Sequence, residues 1–153
     1  MKWSQPPSIK IYEALGAITD NRIEISGNTA KVYSSSGNKF YDVSYDPAGN
    51  AIMANDNGSY WQGYLGYPAI AFLLKSGVLE LKPEMAGLLK GIKWKDINQQ
   101  FKNDFGKTLH HIESMLSLNQ REALAAYVRE IEKGINGLNL AVLGKKAVPP
   151  EGY

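Results

Sequence analysis

The stretch from Asn50 to Leu74 restricts the possible folds more than any other part of the chain, because its character changes twice. It begins as a strand, passes through a loop rich in Asn, Gly and aromatic residues, and ends in an apolar run that Pro68 opens. Proline fits the first turn of a helix, where its missing N–H has no partner in any case. The segment Ala69–Lys75, apolar nearly all round, predicts a helix buried against a sheet.

A two-residue period precedes this stretch and predicts the sheet. Gly27-Asn28 forms a tight hairpin turn, since both residues tolerate positive φ, and Asp46–Asn50 combines Pro and Gly in a second strong turn. The predicted strands are Arg22–Ser26, Thr29–Ser34, Lys39–Tyr45 and Ala51–Asn55. The pattern therefore predicts a four-stranded antiparallel β-meander with one face free to pack against helices.

Helical spacing dominates on both sides of the sheet. A short helix from Ser8 to about Asp20 braces it at the N-terminal side, and apolar residues three or four apart predict a long helix over Lys93–Ser117. Gly106 is the weak position within that helix, because glycine costs about 1 kcal/mol relative to alanine. Asn119 and Glu122 have the spacing of a capping box and predict the start of the last helix.

The predicted fold class is α+β, with the sheet and its helices followed by a C-terminal α-helical hairpin. Residues 1–77 would form the α+β domain and residues 78–153 a helical extension packed on it as one compact unit. Residues 144–153 are predicted to be a mobile tail.

Composition narrows the functional classes. The chain has 17 basic and 15 acidic side chains, a net charge of +2, which is far from the basic footprint of a protein that neutralises many phosphates. It has no cysteine, so disulfides, thiolate nucleophiles and cysteine-ligated zinc are excluded. No apolar run approaches about 18 residues and no signal peptide is recognisable, which predicts a cytoplasmic protein without membrane contact.

One segment resembles a known module. A Tyr-x-Val strand at Tyr41–Val43, a D-P-x-G turn at Asp46–Gly49, a fourth strand, a loop containing Asp56 and the apolar run Ile70–Leu74 follow in that order. Over residues 31–74 this order resembles the SWIM zinc-finger domain, whose pattern is Cys-x-Cys, a loop, and Cys-x-His on the first turn of a helix.

The zinc ligands of that pattern are absent here. Its four ligand positions fall on Ile52, Ala54, Gly66 and Pro68, none of which binds zinc. The resemblance implies DNA binding or protein–protein contacts. It also implies that Ile52, Met53 and the loop aromatics replace the folding free energy of a structural zinc, at about 2–3 kcal/mol for each buried aromatic.

The loop over 55–67 holds the predicted site. Its candidate partner- or ligand-binding residues are Asp56, Asn57, Tyr60, Trp61, Tyr64 and Tyr67. The aromatic side chains suit an exposed stacking platform or the filling of a core. Filling of the core, in full or in part, is favoured, because no Arg or Lys lies between Lys39 and Lys75 to accompany a nucleic-acid groove. A concave pocket holding Asp56 with a raised pKa would indicate a ligand or substrate site instead.

Other chemistries find little support. The Asn55–Ser59 segment is similar to part of a calcium loop, but Tyr64 stands where the bidentate Glu belongs. His110 and His111 point about 100° apart on a helix and cannot share a metal. The mildly basic middle of the chain, with Lys82, Lys90, Lys93, Lys95, Lys102 and Lys107, is diluted by acids and is read as a solvated face. No catalytic residue, metal ligand or cofactor is predicted.

The sequence therefore favours a non-enzymatic protein–protein interaction or dimerisation module, with a protein partner or a second copy of the chain. An accessory protein that contacts DNA or RNA is the first alternative. A small enzyme or ligand binder that uses the Asn55–Tyr67 loop is the second.

Overall fold

The computed structural model describes residues 1–151 and has a mixed α+β architecture. The helices are α1 (Ser8–Thr19), α2 (Tyr67–Lys75), α3 (Pro83–Ala86), α4 (Trp94–Gln100), α5 (Phe105–Ser114) and α6 (Leu118–Leu138). The strands are β1 (Ile23–Ser26), β2 (Thr29–Tyr33), β3 (Phe40–Asp46), β4 (Ala51–Ala54) and β5 (Ala141–Val142). A π-helical turn, Gly58–Gln62, and a 3-10 turn, Gly87–Leu89, complete the helical elements.

The sheet has five strands in the order β1-β2-β3-β4-β5, so the predicted number of four is wrong. The four predicted strands pair antiparallel as expected, and β5 adds to β4 in parallel. The amide of Ala141 donates to the carbonyl of Asn50, just before β4, at 3.0 Å. The amide of Leu143, just after β5, donates to the carbonyl of Ile52 at 3.1 Å. A strand of two residues is too short to show a two-residue period in the sequence, so only its pairing with β4 identifies it.

Side-chain alternation in the central strands follows the sequence pattern. Ala30 and Val32 of β2 are buried, as are Tyr41 and Val43 of β3, while the residues between them face solvent. Helix α2 covers one face of the sheet, and α1 packs on α2 within the same core. Successive residues of a strand point to opposite faces, so this register is fixed by burial.

Helix α1 lies at the centre of the core. Every residue from Ile9 to Ile18 except Lys10 is buried, and the helix packs against α2, α3, α5 and α6. The same buried cluster includes Trp94, Ile112 and Leu124 from the later part of the chain. The residues of the two predicted portions, 1–77 and 78–153, thus share one core.

The predicted long helix Lys93–Ser117 is wrong, because the chain leaves helical geometry between α4 and α5. Lys102 and Asn103 adopt positive φ of 53° and 61°. The amide of Asn103 donates to Asn98 O at 2.8 Å and that of Lys102 to Gln99 O at 3.1 Å, the bonds of a Schellman ending. Asp104 then starts α5 by accepting from the Lys107 amide at 3.2 Å.

The last helix is also capped elsewhere than predicted. The capping box is formed by Ser117 and Gln120, and not by Asn119 and Glu122. Helix α6 packs on α1 and α3, so a hairpin of two long helices stays a prediction. Among residues 1–151, no helix has both the length and the apolar content needed to cross a membrane.

Gly16 lets Trp94 reach the backbone of α1, and this contact gives a test of the packing. A Cβ at Gly16 would overlap the indole Nε1 of Trp94, and it would lie 3.2 Å from the ring carbon Cε2. Overpacking of this kind costs about 1–3 kcal/mol, more than the gain in helix propensity. We expect Gly16→Ala to lower the free energy of unfolding in urea by this amount.

Gly87→Ala is the matched control, because Gly87 has φ of −58° and nothing lies within 4 Å of an added Cβ. This variant should unfold at the wild-type urea concentration or slightly above it. Equal stabilities of the two variants would contradict the close contact at Gly16.

Candidate functional site

A cleft of about 720 Å³ opens beside α1, at the end of β2 and β3. The loop over 55–67 and the segment over 94–105 form its other walls. The volume lies within the range of small-molecule sites. The residues that line the cleft include Lys10, Glu13, Arg22, Ser34, Ser35, Tyr41, Asp56, Asn57, Trp61, Tyr64, Tyr67, Trp94, Lys95, Asn98 and Phe105.

The loop wall is held by a buried hydrogen-bond network. The carboxylate of Asp56 accepts from the Ser59 hydroxyl at 2.6 Å and from the Ser59 amide at 3.2 Å. The Ser59 hydroxyl in turn accepts from the Gly66 amide at 3.2 Å. A side chain at Gly66 would collide with Asp56, so only glycine permits this closure. The network fixes the π-helical turn Gly58–Gln62, a rare geometry often found at functional sites.

The structure brings five predicted site residues to this cleft: Asp56, Asn57, Trp61, Tyr64 and Tyr67. Tyr60 does not line it and instead packs edge-on against Trp61, with ring centroids 4.7 Å apart. None of the four loop aromatic residues is fully buried, and Tyr67 is partly buried against the core. Trp61 is 70% exposed at the cleft entrance.

The opposite wall carries an ion pair that the sequence reading missed. Lys10 Nζ lies 3.2 Å from Glu13 Oε2, on consecutive turns of α1. The Glu13 side chain is 5% exposed and that of Lys10 is 16% exposed. Charged groups are seldom buried unless they are paired, and the contact between Lys10 and Glu13 supplies that pairing within an otherwise apolar helix.

Further contacts tie this pair to the segment over 94–105. The Asn98 side-chain amide donates to Glu13 Oε1 at 2.8 Å, and Asn98 Oδ1 accepts from the Thr108 hydroxyl at 3.1 Å. Lys10 Nζ lies 4.8 Å from the ring centroid of Phe105, a cation–π distance. The pair therefore joins α1 to α4 and α5 across one side of the cleft.

A signal for this pair was present in the sequence. Lys10 and Glu13 are the only charged residues within the otherwise apolar helix over 8–19. Their spacing of three places both on one face. An acid inside a buried stripe indicates a specific partner, because an unpaired buried carboxylate is costly.

The far end of the cleft is basic. Arg22 and Lys95 line it together with Ser34 and Ser35. The Ser35 hydroxyl accepts from the Lys95 amide at 3.0 Å and thereby connects β2 to α4. Trp94 closes this end from below, 4% exposed and packed on Gly16.

The protonation of the central groups follows from their surroundings. Burial raises the pKa of the Asp56 carboxyl, although hydrogen bonds from Ser59 oppose the shift. Burial lowers the pKa of Lys10, but the charge and hydrogen bond of Glu13, together with Tyr64 and Asp56, outweigh it, and the pKa of Lys10 is raised. Burial also raises the pKa of the Tyr64 hydroxyl. At neutral pH the cleft thus presents an ammonium and a phenol, both hydrogen-bond donors.

The described residues contain no group of three or more His, Asp or Glu placed to hold a metal ion. His110 is exposed, and the ring of His111 lies 5.8 Å from that of Phe101, away from the cleft. Ser59 is 1% exposed and donates to Asp56, so its hydroxyl is not presented to a ligand.

One comparison with known proteins gives a match. A family model described as "Uncharacterised conserved protein UCP014422" matches residues 3–141, which include every residue that lines the cleft. No curated protein and no solved structure matches the chain.

Removal of one partner from the buried pair should be strongly destabilising. Glu13→Gln keeps an oxygen acceptor for Asn98 but leaves the Lys10 charge without its carboxylate, which costs about 3 kcal/mol. Urea denaturation of the variant should show this loss in the free energy of unfolding.

The control is Glu130→Gln, which breaks the surface pair with Lys82 at 3.1 Å, where both side chains are accessible. Because such pairs contribute little, this variant should match the wild type. A similar small effect at Glu13 would show that the buried pair is not a stabilising contact.

The raised pKa of Asp56 predicts a pH dependence of stability. Above the ordinary aspartate pKa of about 4, Asp56 loses its carboxyl proton in the unfolded chain. In the folded chain it keeps this proton to a higher pH, because its pKa is raised. Folding therefore becomes less favourable as pH rises from about 4 to the folded-state pKa of Asp56. In urea denaturation, the wild type should lose stability over this interval relative to Asp56→Asn, which cannot titrate. A constant difference between them would contradict the shift.

Proposed function

We propose, from the premise that the chain belongs to the UCP014422 family, that the cleft beside α1 binds a small polar molecule containing a ring. The observation that carries this proposal is the combination of ligand-sized volume, aromatic walls and a buried ion pair in one cleft. Pockets with a few convergent polar groups and perturbed pKa values are the usual sites of small-molecule binding.

The aromatic side chains support a ring-bearing ligand. Trp61 stands at the entrance, and Tyr41 and Tyr67 meet edge-to-face inside, with centroids 6.1 Å apart and planes at 84°. Flat faces of this kind stack on nucleobases, on other heteroaromatic rings and on the apolar faces of sugars. The polar side chains between them, among them Asn57 and Asn98, supply both donors and acceptors.

Binding without chemical conversion fits the protonation of the cleft better than catalysis. A general base near neutral pH needs an accessible group able to take a proton. Lys10 and Tyr64 hold theirs, and Asp56 is 5% exposed and engaged by Ser59. The cleft is therefore suited to hold and orient a ligand through hydrogen bonds.

A protein–protein or dimerisation module, with the predicted C-terminal helical hairpin as its contact surface, is the second candidate function. Met115 and Leu118, at the corner between α5 and α6, are 54% and 56% exposed, as is usual for contact residues. Light scattering that finds a dimer at micromolar concentration would support it. The SWIM-like relationship and its nucleic-acid role stay predictions, and retention on DNA or RNA at low salt tests them.

The ligand-binding proposal predicts a hydroxyl-dependent affinity. The test panel consists of adenosine, glucose and nicotinamide, with adenosine 5′-monophosphate, glucose 6-phosphate, glucuronate and nicotinate as charged counterparts. At least one member should bind with Kd below about 1 mM. Tyr64→Phe, which removes one donor from the cleft, should weaken that binding about 3–10-fold. Isothermal titration calorimetry measures both values.

Tyr60→Phe is the matched control in the same loop, because Tyr60 does not line the cleft. It should bind like the wild type. Indole N–H resonances of Trp61 and Trp94 should shift on binding, whereas that of Trp3, which donates to Ile52 O at 2.8 Å, should stay in place. The proposal fails when no panel member binds at millimolar concentration.

A further inference from the structure

We infer that the ligand of this cleft carries an oxyanion, a carboxylate or a phosphate, and that Arg22 binds it at the basic end. This inference rests on the proposed function and adds the chemical class of the ligand. It depends on how the Arg22 side chain is held, on the balance of charge in the cleft and on the position of the rings.

The guanidinium of Arg22 is anchored on one side and unpartnered on another. Its Nη1 donates to Tyr33 O at 2.7 Å, and the Tyr33 amide donates back to Arg22 O at 2.7 Å. Its Nε is buried, and none of residues 1–151 accepts a hydrogen bond from it. A buried donor without an acceptor is uncommon in folded proteins. An oxygen supplied by a ligand would satisfy it.

Arg22 also lacks a carboxylate partner among residues 1–151, where the ion pairs are Lys10–Glu13 and Lys82–Glu130. A guanidinium presents its N–H groups as a planar fork that matches the two oxygens of a carboxylate or phosphate. With Nη1 fixed by Tyr33, the edge that carries Nε is the one left for such an oxyanion.

The charges that line the cleft favour an anion at this end. Arg22 lies at this end, while the acids that line the cleft are elsewhere: Glu13 is paired with Lys10 and bonded by Asn98, and Asp56 is held in the loop by Ser59. The Ser35 hydroxyl, which accepts from the Lys95 amide, adds a neutral polar group at this end.

The aromatic residues connect the two ends. Tyr41 pairs with Val32 in the sheet, close to the end of β2 where Ser34 follows, and its ring meets that of Tyr67 beside the loop. Ile23 and Tyr41 both pair with Val32, so Arg22 and Tyr41 lie about two strand spacings apart, roughly 10 Å. A ligand with its ring at the tyrosines and an oxyanion at Arg22 fits this separation.

The experiment compares panel members that differ in the anionic group. Adenosine is paired with adenosine 5′-monophosphate, glucose with glucose 6-phosphate and with glucuronate, and nicotinamide with nicotinate. In at least one pair the anionic member should bind the wild type about tenfold more tightly. Pairs with a phosphate and pairs with a carboxylate tell the two oxyanions apart.

Nitrogen-15 NMR reads the contact directly. The chain has three arginines, Arg22, Arg121 and Arg129. Titration with the tight-binding anionic member should shift the Nε–H resonance of Arg22 alone, and its neutral counterpart should not. This readout uses the wild-type protein and so does not depend on whether an Arg22 variant folds.

Two variants complete the test. Arg22→Gln should remove the advantage of the anionic member, and Arg22→Lys, which keeps the charge but loses the fork, should reduce it. Arg129→Gln, an exposed arginine outside the cleft, is the control and should keep it.

The inference is overturned when neutral members bind as tightly as their anionic counterparts, or when an anionic member binds without moving the Arg22 resonance. Both outcomes leave the ligand-binding proposal standing. Absence of binding by every panel member overturns the two together.

Discussion

The buried ion pair between Lys10 and Glu13 is the interaction on which the cleft depends, because it places charge inside the central helix of the core. Helix α1 is otherwise apolar, and an isolated charge there would cost several kcal/mol. The pair avoids that cost through its own 3.2 Å contact, the amide of Asn98 and the ring of Phe105. These contacts hold the segment over 94–105 beside α1 and so create the cleft wall.

The opposite wall, formed by the loop over 55–67, is held by a network of hydrogen bonds and not by an ion pair. Asp56 binds Ser59 twice, Ser59 binds the Gly66 amide, and Gly66 has no side chain to disturb them. Ile52, completely buried, adds apolar contacts in the strand before the loop. Trp61, Tyr64 and Tyr67 of this loop line the cleft, and Tyr67 also packs against the core.

The sequence located one wall of the candidate site and missed the other. The loop residues were found because Asn, Asp, Gly and aromatic residues crowd a short segment between a strand and a helix. Lys10, Arg22 and Asn98 were missed, because they are far apart along the chain and meet only through packing. Lys10 and Glu13 carried a local signal, whereas nothing near Arg22 distinguishes it from a surface arginine.

The sequence by itself determined the first four strands, helices α1 and α2, and the α+β class, since these follow from local periodicity, turn residues and Pro68. Tertiary structure decided the break at Lys102 and Asn103, where α5 turns away although the apolar spacing continues. It also decided the fifth strand, whose two residues are ordered by pairing with β4. Tertiary structure also decided the cleft, because its shape arises from contacts between segments that are far apart in the sequence, and no local pattern encodes those contacts.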